Sequence, residues 1–99
     1  MSKEPVTLIN LFTVPPGFDE QAIAAWEVAR DFLSQQPGYI STELHQALSP
    51  EAPHALINVA KWESAEDFES ATTAMRQDAA VPVVAGVRSA PQLFRVVRR

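Results

Sequence analysis

The hydrophobic pattern of this chain changes four times between the period of a strand and the period of a helix, and prolines mark the first two changes. Residues 6–14 are β-branched and apolar and stop at the Pro-Pro-Gly turn at 15–17, which is typical of a strand with a sharp end. Residues 19–36 carry apolar side chains at helical spacing, with Asp19 placed to cap the helix and Pro-Gly at 37–38 to end it. The pattern therefore predicts a strand followed by a helix.

The rest of the chain repeats this plan with a hairpin in the middle. Residues 39–48 and 54–62 have strand composition, and the turn between them contains two prolines. Ser64 opens a second helix, with a carboxylate three residues later that suits a capping box. Residues 79–90 are apolar but irregular, and residues 92–98 are predicted as the last strand. Because irregular segments this long are uncommon unless functional, we expect residues 79–90 to wrap a partner or to close a pocket.

The order strand–helix–strand–strand–helix–strand predicts an α+β fold, the ferredoxin-like βαββαβ arrangement with an antiparallel type of sheet. The 99 residues are enough for one hydrophobic core, so residues 1–99 are expected to form a single domain. We expect the first and third strands to be central and parallel, and both helices to cover one face of the sheet.

The first and third strands are apolar on both faces, although a sheet with one face in water should alternate apolar and polar side chains. In the first strand, Leu8 and Phe12 point to one face, and Ile9 and Leu11 point to the other. The third strand likewise has apolar side chains on both faces. The helices can cover only one face, and a chain of 99 residues has no further layer. The pattern therefore predicts a homodimer in which the sheets of two subunits face each other.

Charge and composition exclude several classes of protein. The net charge of −4 disfavours nucleic-acid binding, which depends on neutralising phosphates. The chain contains no cysteine, so disulfides, thiolate metal sites and a cysteine nucleophile are excluded. The longest apolar stretch, residues 81–87, is too short to cross a membrane, and the N-terminal residues lack the apolar core of a signal peptide. We expect a cytoplasmic protein without a membrane or nucleic-acid partner.

Two asparagines and a tryptophan form the candidate catalytic set. Asn58 and Trp62 are four residues apart on one strand, so their side chains point to the same face. Asn10 lies on the first strand, which we expect beside the third, and apolar residues flank both asparagines. An amide buried without a partner is costly, so each amide either bonds within its own sheet or faces a ligand. The residues by themselves leave both interpretations open.

A second set of residues makes up the candidate substrate pocket: Phe12, Trp26, His45, Phe68 and Met75. The aromatic side chains and Met75 suit an apolar substrate wall, and they equally suit an ordinary hydrophobic core. His45 is either a general base or a structural histidine, because a one-residue slip of the hairpin would move it to the other face. His54 borders a turn and is expected to be a solvated strand end. Two histidines nine residues apart, without cysteine, do not indicate a metal site.

Several short segments carry a resemblance to a known family. They are the apolar first strand with Asn10, the Pro-Gly pairs at 16–17 and 37–38 with Tyr39, Trp26, and the segment 58–62 followed by Ser64 and Phe68. In these segments the chain resembles the antibiotic biosynthesis monooxygenase family, and this implies a small dimeric α/β barrel. Cofactor-free, quinone-forming oxygenases of that family use an asparagine and a tryptophan four residues apart on the third strand, which Asn58 and Trp62 match. Those oxygenases also place a tyrosine on the second helix, where this chain has Phe68.

The resemblance implies an oxidoreductase, a cofactor-independent monooxygenase that oxidises a small aromatic, quinol-like compound with dioxygen. In this interpretation Asn58 and Asn10 orient and polarise the substrate, and Trp62 forms a wall of the pocket. A non-catalytic binding or assembly module of the same fold remains an alternative, as does an isomerase or stress-related enzyme acting on a small carbonyl compound. The haem-degrading branch matches Asn10 and Trp62, but it uses an axial histidine on the second helix, and this chain has none there.

Overall fold

The ferredoxin-like arrangement predicted from the sequence is confirmed by a computed structural model, which describes residues 3–99. In chain order its elements are β1 (Val6–Thr13), α1 (Asp19–Leu33), β2 (Tyr39–Gln46), β3 (Leu56–Trp62), α2 (Ala65–Asp78) and β4 (Arg88–Phe94). The four strands form one sheet in the order β2-β3-β1-β4. Both helices lie on the face of the sheet that carries Leu8, Asn58 and Trp62.

The central strands β1 and β3 are antiparallel, and the prediction that they run parallel is wrong. The pairs β2–β3 and β1–β4 are antiparallel as well. Each helix therefore connects two strands that share a direction but are separated by one other strand. In this split arrangement the strand that fills each gap runs in the opposite direction, so every neighbouring pair is antiparallel.

The last strand lies four residues earlier than predicted, at Arg88–Phe94 rather than at 92–98. The strand contains Pro91, a residue that ordinarily interrupts a β-ladder. However, β4 is an edge strand, and a proline is tolerated there because its missing N–H need not face a neighbour. Pro91 pairs with Asn10 of β1. The irregular segment is correspondingly shorter, covering residues 79–87.

The two helices begin in different ways. Phe18, rather than Asp19, is the N-cap of α1, and it makes no capping hydrogen bond with its side chain, so the predicted role of Asp19 is wrong. Asp19 lies in the first helical turn, where its negative charge interacts favourably with the helix dipole. Ser64 caps α2 as predicted, since its Oγ accepts a hydrogen bond of 3.1 Å from the backbone N–H of Asp67. No helix among residues 3–99 is long and apolar enough to cross a membrane.

The turn between α1 and β2 packs against the start of α2. Gly38 has a positive φ of 89° and packs so closely against Asp67 that a Cβ atom would collide with that side chain. Lys3 donates a hydrogen bond of 2.8 Å to Asp67 Oδ2, and this bond holds the pKa of Asp67 below its ordinary value. The carbonyl of Gly38 accepts a bond of 2.8 Å from the N–H of Glu63. These contacts fix the end of the sheet beside Trp62.

The hydrophobic core lies between the helices and the sheet, at the end of the sheet that holds Trp62. Its buried members are Leu8, Ala60, Trp62 and Ala71. The opposite face of the sheet also carries apolar side chains, namely Ile9, Leu11, Ile57 and Val59. Because both helices lie on the other face, these four side chains are only half-buried.

Candidate functional site

A cavity of ≈ 470 Å³ lies between the sheet and the two helices. All four strands, both helices and the segment 79–87 contribute to its wall, which is mostly apolar. Of the predicted catalytic and pocket residues, those that line it are Asn10, Phe12, Trp26, Asn58, Trp62, Phe68 and Met75. A space of this size can hold a small aromatic molecule, and its apolar wall with a few polar groups is typical of a ligand site.

The floor of the cavity is the sheet, and the two asparagines lie side by side at its centre. Asn10 of β1 and Asn58 of β3 are directly opposite each other in the antiparallel ladder. Thr42 on β2 donates a hydrogen bond of 2.6 Å from its Oγ1 to Oδ1 of Asn58. Oδ1 of Asn10 is buried and has no hydrogen-bond partner among the described residues. Thr42 was missed in the sequence, because only the pairing of β2 with β3 brings it beside Asn58.

An irregularity in β2 decides which of its side chains face the cavity. The register shifts between Tyr39 and Ser41, so that Tyr39 pairs with Trp62 while Ser41 pairs with Lys61. A bulge of this kind changes which parity of the strand faces the core. As a result Tyr39 and Thr42, which have opposite parity, both line the cavity. Tyr39 is a second lining residue that the sequence did not indicate as part of the site.

The two histidines lie outside the cavity. His45 pairs with Ile57, whose side chain is on the sheet face opposite to that of Asn58, so the predicted place of His45 in the pocket is wrong. His45 is exposed on that outer face. His54 lies just before β3 and is half-buried with its Nδ1 shielded from solvent, so it is not the solvated strand end that the turn suggested.

Trp62 closes one end of the cavity. It is 1% exposed and makes edge-to-face contacts with Tyr39 and Phe68, at ring-centroid distances of 5.7 and 5.8 Å. It therefore belongs both to the core and to the cavity wall. On α1, the guanidinium of Arg30 lies over the ring of Trp26, with its Cζ 5.2 Å from the ring centroid.

The charged residues of the wall are both cationic. Within residues 3–99, Arg30 and Arg76 are the only charged lining residues, and no carboxylate or imidazole lines the cavity. Arg30 is paired with Asp31 through hydrogen bonds of 3.1 and 3.0 Å. Arg76, in the last turn of α2, makes no ion pair within the described chain. The charged side chains that line the cavity therefore suit an anionic ligand better than a cationic one.

The segment 79–87 forms a roof over the cavity, which is one of the two roles expected for it. Five of its residues line the space: Val81, Pro82, Val83, Val84 and Val87. Near the end of the segment Gly86 has a positive φ of 82°, and a Cβ atom there would come within 2.6 Å of the ring of Pro15. Only glycine fits both the backbone conformation and this close approach. Gly86 thus holds the roof against the turn that follows β1.

The described residues offer no ready metal site. Among residues 3–99 no three side chains of His, Cys, Asp or Glu types are grouped so that they could hold a metal ion. The polar groups that face the cavity are amides, hydroxyls and guanidiniums, which bind organic oxygens and anions rather than transition metals.

A family model described as antibiotic biosynthesis monooxygenase matches residues 5–82, and no match was found among curated proteins. Among solved structures, the chain is similar to one from Shewanella loihica PV-4 described as a "putative monooxygenase". The two are 47% identical over 100% of both chains, with a TM-score of 0.90. This match covers every residue of the cavity wall.

Two further structures have the same fold at lower identity. SnoaB, a cofactor-independent oxygenase from Streptomyces nogalater, is 22% identical over 97% of this chain and 96% of its own, with a TM-score of 0.71. A heme-degrading protein from Mycobacterium tuberculosis is 23% identical over 100% of this chain and 97% of its own, with a TM-score of 0.69. At these identities the likeness shows the fold alone.

Proposed function

The chain belongs to the antibiotic biosynthesis monooxygenase family, and from this premise we propose that it is a cofactor-independent monooxygenase. Its substrate is a small aromatic, quinol-like compound, and its oxidant is dioxygen. The observation that carries the proposal is the pair of neighbouring asparagines, Asn58, which is buried, and Asn10, whose Oδ1 is buried, in an apolar cavity that Trp62 closes at one end. SnoaB, which shares the fold, is a cofactor-independent oxygenase.

The reaction needs an electron-rich anion rather than a cofactor. In an anthrone, loss of one proton gives a carbanion whose charge is shared with the ring oxygen, and this anion can pass an electron to dioxygen. The methylene carbon loses two hydrogens and gains one oxygen atom, and the second oxygen atom leaves with those hydrogens as water. One dioxygen is thus consumed for each quinone formed. The protein has to orient the ring, stabilise the oxyanion and exclude water.

The residues of the cavity suit these tasks. The amide N–H of Asn58 can donate to the developing oxyanion, while Trp62 and Phe12 provide flat apolar walls. Arg76 adds a positive charge that favours the ionised form of the substrate. Since no carboxylate or imidazole of the described chain lines the cavity, the substrate must be acidic enough to ionise without a strong protein base.

The cavity also helps to separate the alternatives. A core filled completely by Trp26, Phe68 and Trp62 would have favoured a non-catalytic assembly module, whereas the space between these side chains favours a protein that handles a small molecule. Haem degradation is disfavoured because α2 contains no histidine and neither His45 nor His54 lines the cavity, so no imidazole is placed to ligate haem iron.

Oxygen uptake tests the proposed reaction. Metal-free protein is mixed with a panel of hydroquinones and anthrones in an oxygen electrode, and the products are identified by mass spectrometry. At least one compound should consume one dioxygen per quinone, with one oxygen atom from labelled dioxygen in the product. The matched control is the same mixture with heat-denatured protein, which measures autoxidation. Binding of these compounds without oxygen uptake would favour the non-catalytic binding module, and uptake only after metal is added would contradict a cofactor-independent mechanism.

We also propose that the protein works as a homodimer in which the outer sheet faces pack together as a barrel. Ile9, Leu11, Ile57 and Val59 form an apolar patch at the centre of that face. A whole sheet face is enough to bury about 1,600 Å² or more between two copies, the area of a stable interface. A second copy of this chain matches the patch in chemistry, because the same apolar residues would meet across a two-fold axis.

Sedimentation at micromolar concentration should give twice the subunit mass of 10.9 kDa. Ile9→Lys should shift the protein to monomer, since a charge at the centre of the interface would lose its water without gaining a partner. Leu48→Lys is the matched control, because Leu48 is fully exposed in the turn after β2 and its replacement should leave the dimer intact. A wild-type protein that sediments as a stable monomer would contradict the proposed dimer.

A further inference from the structure

We infer that the two asparagines have opposite hydrogen-bonding polarity toward the cavity and therefore select a particular ligand. That ligand presents a hydroxyl donor and an acceptor oxygen on the same edge of an aromatic ring. The inference rests on the proposed function, in which an aromatic compound occupies the cavity. Beyond that function, it specifies which oxygens the compound must carry and where each of them lies.

Asn10 provides the acceptor. Its Oδ1 is buried, and no donor from the described chain reaches it. Its neighbours on the same strand face are Leu8 and Phe12, which have no polar groups, and opposite it on β4 is Pro91, which has no N–H. Asn58, opposite it on β3, does not bond to this oxygen. A buried carbonyl oxygen surrounded in this way is satisfied only by a molecule in the cavity that carries an O–H or N–H group.

Asn58 provides the donor. Its Oδ1 already accepts the hydrogen bond of 2.6 Å from Thr42, so the group that it can offer to a ligand is the N–H₂ of its amide. Thr42 thereby sets the orientation of the Asn58 amide. Asn58 is 7% exposed, and this burial keeps bulk water from competing for the donor. The two amides, side by side on the sheet, thus present an acceptor on β1 and a donor on β3.

The spacing of the two strands restricts the ligand further. Directly opposite residues of an antiparallel pair have Cβ atoms about 5 Å apart, so the two ligand oxygens must lie within a similar distance of each other. Two neighbouring oxygens on one aromatic ring meet this requirement. The oxygen beside Asn58 is the one that ionises, because an N–H donor stabilises an anion. The hydroxyl beside Asn10 stays protonated, because a carbonyl oxygen accepts its hydrogen bond and would repel an anion. The pair would therefore decide which oxygen of a dihydroxy compound becomes the anion.

Asn10→Leu tests this polarity, with 2,3-dihydroxynaphthalene and 2,3-dimethoxynaphthalene as the probes. Affinities are measured by calorimetry without oxygen, so that no turnover occurs. The wild-type protein should prefer the dihydroxy compound by about tenfold or more, since the ether cannot donate to Asn10. In Asn10→Leu this preference should shrink severalfold, while the melting temperature stays the same or rises because an unpartnered buried acceptor has been removed. Phe12→Leu, an apolar change in the same wall, should weaken the binding of both probes to a similar extent and so keep the wild-type ratio of affinities.

The outcomes separate this inference from the proposed function. A wild-type protein that binds both naphthalenes equally, or an Asn10→Leu variant that keeps the full preference, would overturn the inference and leave an aromatic site in place. A melting temperature of Asn10→Leu well below that of the wild type would assign Asn10 to the fold instead, and would also overturn it. A wild-type protein that binds neither naphthalene and consumes no oxygen with the wider panel would remove the proposed function as well.

Discussion

Replacing Asn58 with alanine should lower the turnover of an accepted aromatic substrate by about 10²-fold or more, the usual effect of removing a donor to an oxyanion. The free energy of unfolding should fall by only about 1 kcal/mol, because the one hydrogen bond lost is that from Thr42. Turnover is measured by oxygen uptake at saturating substrate, and stability by urea denaturation. A large loss of rate with a small loss of stability would indicate that Asn58 acts on the substrate.

Thr42→Val is the matched control for this prediction. It removes the same hydrogen bond while keeping the amide of Asn58, so it should cost a similar free energy of unfolding. Its effect on turnover should be much smaller than that of Asn58→Ala, because the amide N–H₂ donor remains and loses only the hydrogen bond that fixes its orientation. If Asn58→Ala instead strongly lowered the melting temperature and left turnover unchanged, Asn58 would be a structural residue and the catalytic proposal would fail.

Replacing Trp62 with alanine should reduce the free energy of unfolding by about 3–5 kcal/mol, as expected for a large aromatic side chain removed from a core. Trp62 is 1% exposed, and its loss would leave Tyr39 and Phe68 without the ring that both of them contact. Domains of this size have about 5–15 kcal/mol of stability in total, so the variant should unfold at a much lower urea concentration. Urea denaturation followed by circular dichroism measures the change.

Trp26→Ala provides the comparison for Trp62. Trp26 also lines the cavity, but it is only half-buried, so its removal should cost clearly less stability. Trp62→Phe keeps an aromatic ring in the core and should recover much of the stability that Trp62→Ala loses. A change of less than about 1 kcal/mol for Trp62→Ala would show that Trp62 is not the core residue that its burial indicates.

Local sequence patterns were sufficient for the elements and for most of the cavity wall. The helical spacing of Ala22, Trp26 and Leu33 placed one face of α1 toward the cavity, and alternation along β3 placed Asn58 and Trp62 on the same face. Both are short-range properties, because the periods of helices and strands are set by backbone geometry. The Pro-Gly pairs likewise marked the ends of β1 and α1, since proline and glycine act on the backbone at their own positions.

Features that depend on pairing between distant segments could not be obtained in this way. Local alternation does not reveal where β2 has a bulge, so the sequence did not tell whether His45 or Thr42 faces Asn58. Pro91 is tolerated within β4 because that strand lies at the edge of the sheet, and an edge position is a property of the whole sheet. Arg30 and Arg76 reach the cavity because of how the two helices pack, which no short window of sequence contains.

The sequence by itself determined the order of strands and helices, the two-sided apolar strands and the shared face of Asn58 and Trp62, because each follows from the side-chain period of a single segment. Only the tertiary structure decided that β1 and β3 are antiparallel, that Asn10 is directly opposite Asn58, and that Thr42 and Pro91 lie on either side of this pair. The physical reason is that register is a relation between strands, fixed by the sheet as a whole. The opposite polarity that we infer for the two amides is a consequence of that register.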